Sequence, residues 1–200
     1  MTQHFDAATL AFASRARQRY VAANRGTLEW MLDRPRLHGG LLNTRMHSIE
    51  LRDYTDADGW RRPSVVCGWI QGRGLEALLL HADYFAGIDK MFSERLLAAA
   101  RELYGAVKAL YERHDGFFFL YDGELNPAIR DAQDQLLPQT TGTGLFTYSD
   151  VFALKGLIAA STRFDLSSRA GYLDRLAALV GAIEADQFFQ NERILIEPGN

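Results

Sequence analysis

Between Lys90 and Arg113 the apolar residues Phe92, Leu96, Ala99, Leu103, Val107 and Leu110 recur every three or four positions. That spacing puts one stripe on one face of a helix. Leu97, Ala100, Tyr104 and Tyr111 widen it, so the stretch predicts an amphipathic helix with a broad buried side. The same period recurs from Asp6 to Asp33 (Leu10, Ala13, Ala16, Tyr20, Ala23, Thr27, Leu28, Met31, Leu32), with Asp6 as a capping residue. Gly26 weakens the middle of that helix and Pro35 ends it. A further helix is predicted from Pro63-Ser64, with Ser64 as cap, to about Tyr84. Others run from Thr147 to Thr162 (Tyr148, Val151, Phe152, Leu154, Ile158) and from Ser167 or Ser168 to about Phe189.

Between the helices the pattern breaks. His38-Gly39-Gly40 and Asp58-Gly59 are turn signals, and residues 38–60 read as a short β-hairpin or an irregular excursion. Gly116-Phe117-Phe118-Phe119-Leu120-Tyr121, closed by Asp122-Gly123, reads as a strand before a turn. Residues 124–144 hold Pro127, Pro138, Gly142 and Gly144 and read mostly as loop. The tail from Glu192 to Asn200 is apolar in its middle.

The helix from Ser64 and the helix from Thr147 match at an offset of about 79 residues: Trp69 falls on Tyr148, Arg73 on Phe152, Leu75 on Leu154, Leu78 on Leu157 and Leu79 on Ile158. Each follows a glycine-bounded hairpin or aromatic segment and precedes an amphipathic helix. A repeat of hairpin, inner helix and outer helix implies a solenoid or a ring of helical hairpins. The expected fold is therefore all-α with short β-hairpins, an (α/α) helical-hairpin toroid. About two units are present where three or more normally close a core. The expectation is one domain over residues 1–200 that is part of a larger ring or closes by association.

Composition narrows the partners. The chain has 200 residues, 48% hydrophobic and 24% charged, as in a globular protein. A net charge of -3 supplies no basic footprint for nucleic acid and no polybasic patch for a membrane. No stretch reaches the roughly 20 apolar residues of a membrane span, and no secretory signal is visible at the N-terminus. The single cysteine, Cys67, excludes an internal disulfide framework and fits a cytoplasmic setting; inert burial is its expected fate.

Candidate chemistry centres on Trp69 and Arg73. Four residues apart on a helix, they project from one face: a flat apolar plate beside a permanent cation with a planar donor fork. The pair suits a sugar or an oxyanion, although a core tryptophan beside a rim arginine has the same spacing. Trp69-Ile70-Gln71-Gly72-Arg73, following the Gly-Gly segment and the Asp-x-Asp-Gly turn, resembles the N-acylglucosamine 2-epimerase family, which includes cellobiose 2-epimerases and aldose–ketose isomerases. Tyr148-Ser-Asp-Val-Phe152-Ala-Leu resembles a second inner helix of that family. The resemblance spans about Asp6 to Phe189 and implies the N-terminal half of an (α/α)6 barrel.

Several roles follow from the resemblance alone. Arg73 is implied to hold sugar oxygens near C1 and C2 and to stabilise an enediolate, Trp69 and Tyr148 to line the sugar pocket, and Phe152 to form an apolar wall or core contact. The activity implied is 2-epimerisation or aldose–ketose isomerisation by deprotonation and reprotonation, and no cofactor is implied. The family's two catalytic histidines lie in the second half of the barrel, past the positions this sequence matches. Of the five histidines here, His4, His38, His47, His81 and His114, none falls on such a position.

Other motifs carry less. No HExxH or CxxC is present, and Asp56-Ala-Asp58-Gly59 lacks the closing glutamate of a calcium loop, so no metal is expected. Gly72-Arg73-Gly74 is too short for a phosphate loop. Asp122 and Glu124 read as a polar turn. An (α/α)-barrel glycosidase would need two opposed carboxylates, and the inner helices offer no such pair. The alternative to an enzyme is a non-catalytic helical-hairpin module that binds a peptide or associates as a homo-oligomer through an exposed helical edge.

Overall fold

A computed structural model of the protein describes residues 5–139 and 145–189. The chain is mostly helical with a small antiparallel sheet, and it divides into two compact units, Met1–Pro35 and Arg36–Asn200. Among the described residues no helix is long and apolar enough to cross a membrane.

The first unit is one helix, α1 (Ala7–Asp33). Asp6 caps it as expected, its Oδ1 accepting from the Thr9 N–H at 2.7 Å. The helix runs unbroken across Gly26, aided by an Arg25–Glu29 pair one turn apart (2.8 Å). It ends when Arg34 turns extended before Pro35, the conformation that a following proline favours.

The second unit opens with an irregular segment. His38 (φ 44°) and Gly39 (φ 78°) turn the chain so that Leu37 bridges Leu41. Residues 56–61 form a 3-10 helix rather than a hairpin turn. Asp58 fixes it: it accepts from Thr55 and receives both Nη atoms of Arg52 at 2.8 and 2.9 Å. Gly59 (φ 60°) supplies the kink.

The next helix starts later than predicted. Val66–Cys67 is a strand, β1, and α2 is Gly68–Ala86, so Cys67 and not Ser64 stands at its N-cap. The β-branched run pairs with a neighbouring strand, which outweighs its use as a first helical turn. α3 (Lys90–His114) packs against α2. Its predicted stripe, Phe92, Leu96, Ala99, Leu103, Val107 and Leu110, is buried throughout.

After α3 come β2 (Leu120–Tyr121), β3 (Pro127–Arg130) and β4 (Leu136–Pro138), giving an antiparallel sheet in the order β1-β2-β3-β4. The stretch read as loop therefore holds two short strands, β3 and β4, joined by turns; residues 140–144 lie outside the described residues. Both turns are tied by an aspartate. Asp122 Oδ1 accepts from the N–H groups of Glu124 and Asn126, and Asp131 Oδ1 from those of Gln133 and Gln135. The polar-turn reading of Asp122 and Glu124 thus stands.

β5 (Phe146–Thr147) leads directly into α4 (Tyr148–Phe164), just as β1 leads into α2. A 3-10 turn (Leu166–Ser168) precedes α5 (Arg169–Glu184). α5 stops at Glu184, short of the predicted Phe189. Asp186 takes a positive φ of 56°, and β6 (Phe188–Phe189) pairs in parallel with β5. The apolar tail and His4 lie outside the described residues.

α2 and α4 are the centre of this unit. Two ion pairs between them join residues 79 and 80 apart in sequence: Glu76 with Lys155 (3.2 Å) and Asp83 with Arg163 (2.6 Å). A constant offset means that the helices run parallel and in register, and the offset is that of the sequence match. Their backbones touch. A Cβ on Gly72 would lie 2.5 Å from the Phe152 carbonyl, and one on Gly156 would lie 2.5 Å from the Gly72 oxygen. Only glycine permits that approach. α3 flanks α2, and α5 flanks α4.

Candidate functional site

The parallel register of α2 and α4 places the N-terminal turns of both helices side by side, each just after a strand. Trp69 and Arg73 come from the first turns of α2, Tyr148 and Phe152 from those of α4. The four side chains meet. The Trp69 and Phe152 rings are 6.0 Å apart, tilted by 53°, and Tyr148 and Phe152 are 5.6 Å apart. The guanidinium carbon of Arg73 lies 5.4 Å from the Trp69 ring centre and 5.3 Å from that of Phe152. Arg73 therefore sits across the two rings, within cation–π range of both.

Arg73 is exposed, and among the described residues it has no hydrogen bond or ion pair. The acid nearest along α2, Glu76, is taken by Lys155. Tyr148 is also open, 53% exposed, while Trp69 and Phe152 are half-buried. Trp69 belongs partly to the core: it packs on the cluster of Val65, Cys67, Leu120 and Ala128. The ring is thus core packing in part and half-buried overall.

Two aromatic residues join the site without having been picked out in the sequence. Phe119 stacks on Trp69 with ring centres 6.0 Å apart and planes 6° from parallel. Phe188 lies 6.0 Å from Tyr148. Phe119 was discernible as the third member of Phe117-Phe118-Phe119, a run in which the first two are buried and the third is half-buried. Phe188 was not, because it sat within a predicted helix.

The floor of the site is held by Asp150, fully buried at the start of α4. Its Oδ1 accepts from the Phe117 N–H (2.9 Å) and its Oδ2 from the Thr147 N–H (2.9 Å). Thr147 in turn donates to the Phe117 carbonyl at 2.6 Å. These bonds tie the Phe117–Phe119 segment to the helix that carries Tyr148 and Phe152. Burial pushes the Asp150 carboxyl up to about 6, against the pull of the Thr147 and Phe117 N–H groups and of Arg175. On α2 the buried Gln71 plays a matching part. Its Oε1 accepts from the Leu42 N–H (2.7 Å) and its Nε2 donates to the Leu42 carbonyl (3.0 Å), fastening the irregular segment to the helix.

The four described histidines are engaged elsewhere. A ring nitrogen of His38 is 2.9 Å from the Ser64 carbonyl, one of His81 is 2.9 Å from the Ala77 carbonyl, and one of His114 is 2.8 Å from the Leu125 carbonyl. His47 Nδ1 accepts from the Glu50 N–H at 3.2 Å. Burial holds the His114 imidazole below the usual range. No group of three or more His, Cys, Asp or Glu residues among the described residues could hold a metal ion. Cys67 is buried, and burial raises its thiol pKa, partly offset by Arg45 and Arg130. This is an unreactive thiol.

Chemically the cluster offers flat apolar walls and one permanent cation with free in-plane donors. Such a set can stack the C–H face of a ring and bind oxygen atoms or a negative charge. Comparison of the chain with protein-family models, with curated proteins and with solved structures gives no match.

Proposed function

We propose that Trp69, Arg73, Tyr148 and Phe152 are the sugar-binding part of a site for 2-epimerisation or aldose–ketose isomerisation, and that α2–α5 are two successive hairpins of an (α/α) toroid. The observation that carries this reading is the convergence of the four residues at one end of two parallel, strand-led helices. The aromatic rings would take the apolar faces of the sugar. Arg73 would hold oxygens near C1 and C2 and meet the charge of the enediolate formed when the C2 proton leaves. A guanidinium does this without titrating, and preorganised donors of this kind contribute most where charge develops. Proton transfer needs a base and, for epimerisation, an acid on the opposite face; no residue in contact with Arg73 supplies either.

The first test is binding. Mannose, N-acetylmannosamine and cellobiose are titrated against the protein and its Arg73→Ala variant with ligand-observed NMR. Incubation in deuterium oxide then reports exchange at C2. Binding by the parent and its loss in the variant support the reading. No binding by any sugar, with Arg73→Ala indistinguishable from the parent, ends it.

A second reading, a helical-hairpin module that associates with another subunit, is favoured by one feature. Leu173, Leu176, Val180 and Ile183 form a row along α5, and Leu173, Val180 and Ile183 are 37%, 46% and 48% exposed. An apolar row of that spacing suits helix pairing. Sedimentation across a concentration series tests it, and a monomer at every concentration removes it.

A further inference from the structure

We infer that the Arg73 site selects sugars that carry an anionic group, a carboxylate or a phosphate, over neutral sugars. This rests on the sugar-site reading above and names the class of sugar.

The charge around Arg73 is unbalanced. No described residue gives it a hydrogen bond or an ion pair. The carboxylates of the two helices that carry the site are already engaged: Glu76 with Lys155, Asp83 with Arg163, and Asp150 with the N–H groups of Phe117 and Thr147. The cation is thus left with aromatic faces as its described neighbours. Those faces attract it but accept no hydrogen bond in its plane.

The geometry of the guanidinium then decides what completes it. The Trp69 and Phe152 rings lie beside it, with the guanidinium carbon 5.4 and 5.3 Å from their centres, and neither ring can accept an in-plane hydrogen bond. Its N–H groups have no hydrogen-bond acceptor among the described residues. A guanidinium presents five N–H donors along two edges, each matched to a pair of oxygens. One edge suffices for the sugar oxygens near the reacting carbons. The second edge would leave its donors to water if the sugar were neutral, whereas a carboxylate or phosphate fills it with two parallel charge-assisted bonds.

The test uses 15N-labelled protein at fixed ionic strength and follows the Trp69 indole N–H and the Arg73 Nε–H resonances. The ligands are glucuronate and mannuronate, glucose 6-phosphate and mannose 6-phosphate, glucose and mannose, with acetate and inorganic phosphate as sugar-free anions. At least one anionic sugar is expected to bind about tenfold tighter than its neutral counterpart, the scale of one charge-assisted pair. The uronate and phosphate arms show which anion the edge prefers. Arg73→Gln should abolish the preference. Arg73→Lys, which keeps the charge but lacks the fork, should lose most of it. Equal affinity for neutral and anionic sugars overturns the inference and leaves the sugar site standing. Acetate or phosphate binding as tightly as the sugar anions also overturns it, because the sugar then contributes nothing. If no sugar binds, both the inference and the reading beneath it fall.

Discussion

Replacing Asp150 with asparagine separates what the buried carboxylate does for folding from what its shape does. In the native protein the group is fully buried and has a pKa of about 6, against 3.8 for an ordinary aspartate, with burial the largest cause. A difference of that size corresponds to roughly 3 kcal/mol between the two protonation states. The sign follows from proton uptake. Between about pH 4 and pH 6 the folded protein keeps a proton that the unfolded chain has released. Stability from this group is therefore full below pH 4 and is lost as pH rises through 6. Asparagine cannot titrate. It also keeps only one of the two acceptor oxygens, leaving either the Phe117 or the Thr147 N–H poorly met, at a cost of about 1–3 kcal/mol. The variant should thus be less stable than the parent at pH 4, and the gap should narrow by up to roughly 3 kcal/mol by pH 7. Urea unfolding followed by circular dichroism at pH 4, 5, 6 and 7, at constant ionic strength, gives the difference directly. A gap that stays constant would refute the reasoning. So would one that widens with pH, because the N–H bonds would then outweigh burial and favour the charged form.

Gly156→Ala places a methyl 2.5 Å from the Gly72 oxygen and should cost about 1–3 kcal/mol by forcing the helices apart, read as a fall in melting temperature. Gly105→Ala, in an exposed helix position with nothing within 4 Å, should instead stabilise by up to about 1 kcal/mol in the same assay. Gln71→Leu removes both bonds to Leu42 and strands a buried N–H and C=O; a loss of about 2–4 kcal/mol in urea unfolding is expected, and a neutral result would mean the irregular segment is held by other contacts. Phe119→Ala removes the ring stacked on Trp69; on the proposed function it should weaken sugar binding, read by ligand-observed NMR, while leaving the helix content of the circular dichroism spectrum intact.

α3 was legible because its burial is one-sided, whereas the apolar positions read in α1 are mostly exposed and only Leu28 is buried. The α3 stripe reads from the sequence alone, since one packed face imposes a 3.6-residue period. The Thr147 start of α4 was also legible, and its capping box with Asp150 is present. The sheet was obscured by its own residues. Pro127 and Pro138 suggest loop, yet Pro127 opens β3 and Pro138 closes the edge strand β4, places that a missing N–H allows. Leu125 and Asp134 carry the positive φ values of the two turns (63° and 62°), where glycine is the usual signal. The ends of α2 and α5 depended on partners distant in sequence. β1 exists because Leu120–Tyr121 is there to pair with it, and β6 because Phe146–Thr147 is. Helical spacing alone put Trp69 beside Arg73, and the 79-residue offset put Phe152 opposite. Phe119 required the tertiary fold.

The meeting of Gly72 and Gly156 has a consequence for how this surface can change over time. Where two helices touch through side chains, a substitution at the contact resets their spacing and everything mounted on them. Here main chain rests on main chain, so the distance between the two halves of the aromatic cluster is set by atoms that every amino acid shares. The rings at positions 69, 148 and 152 can be exchanged while the gap between them holds. The two glycines act as a gauge block, leaving the aromatic surface free to drift on a frame of constant width.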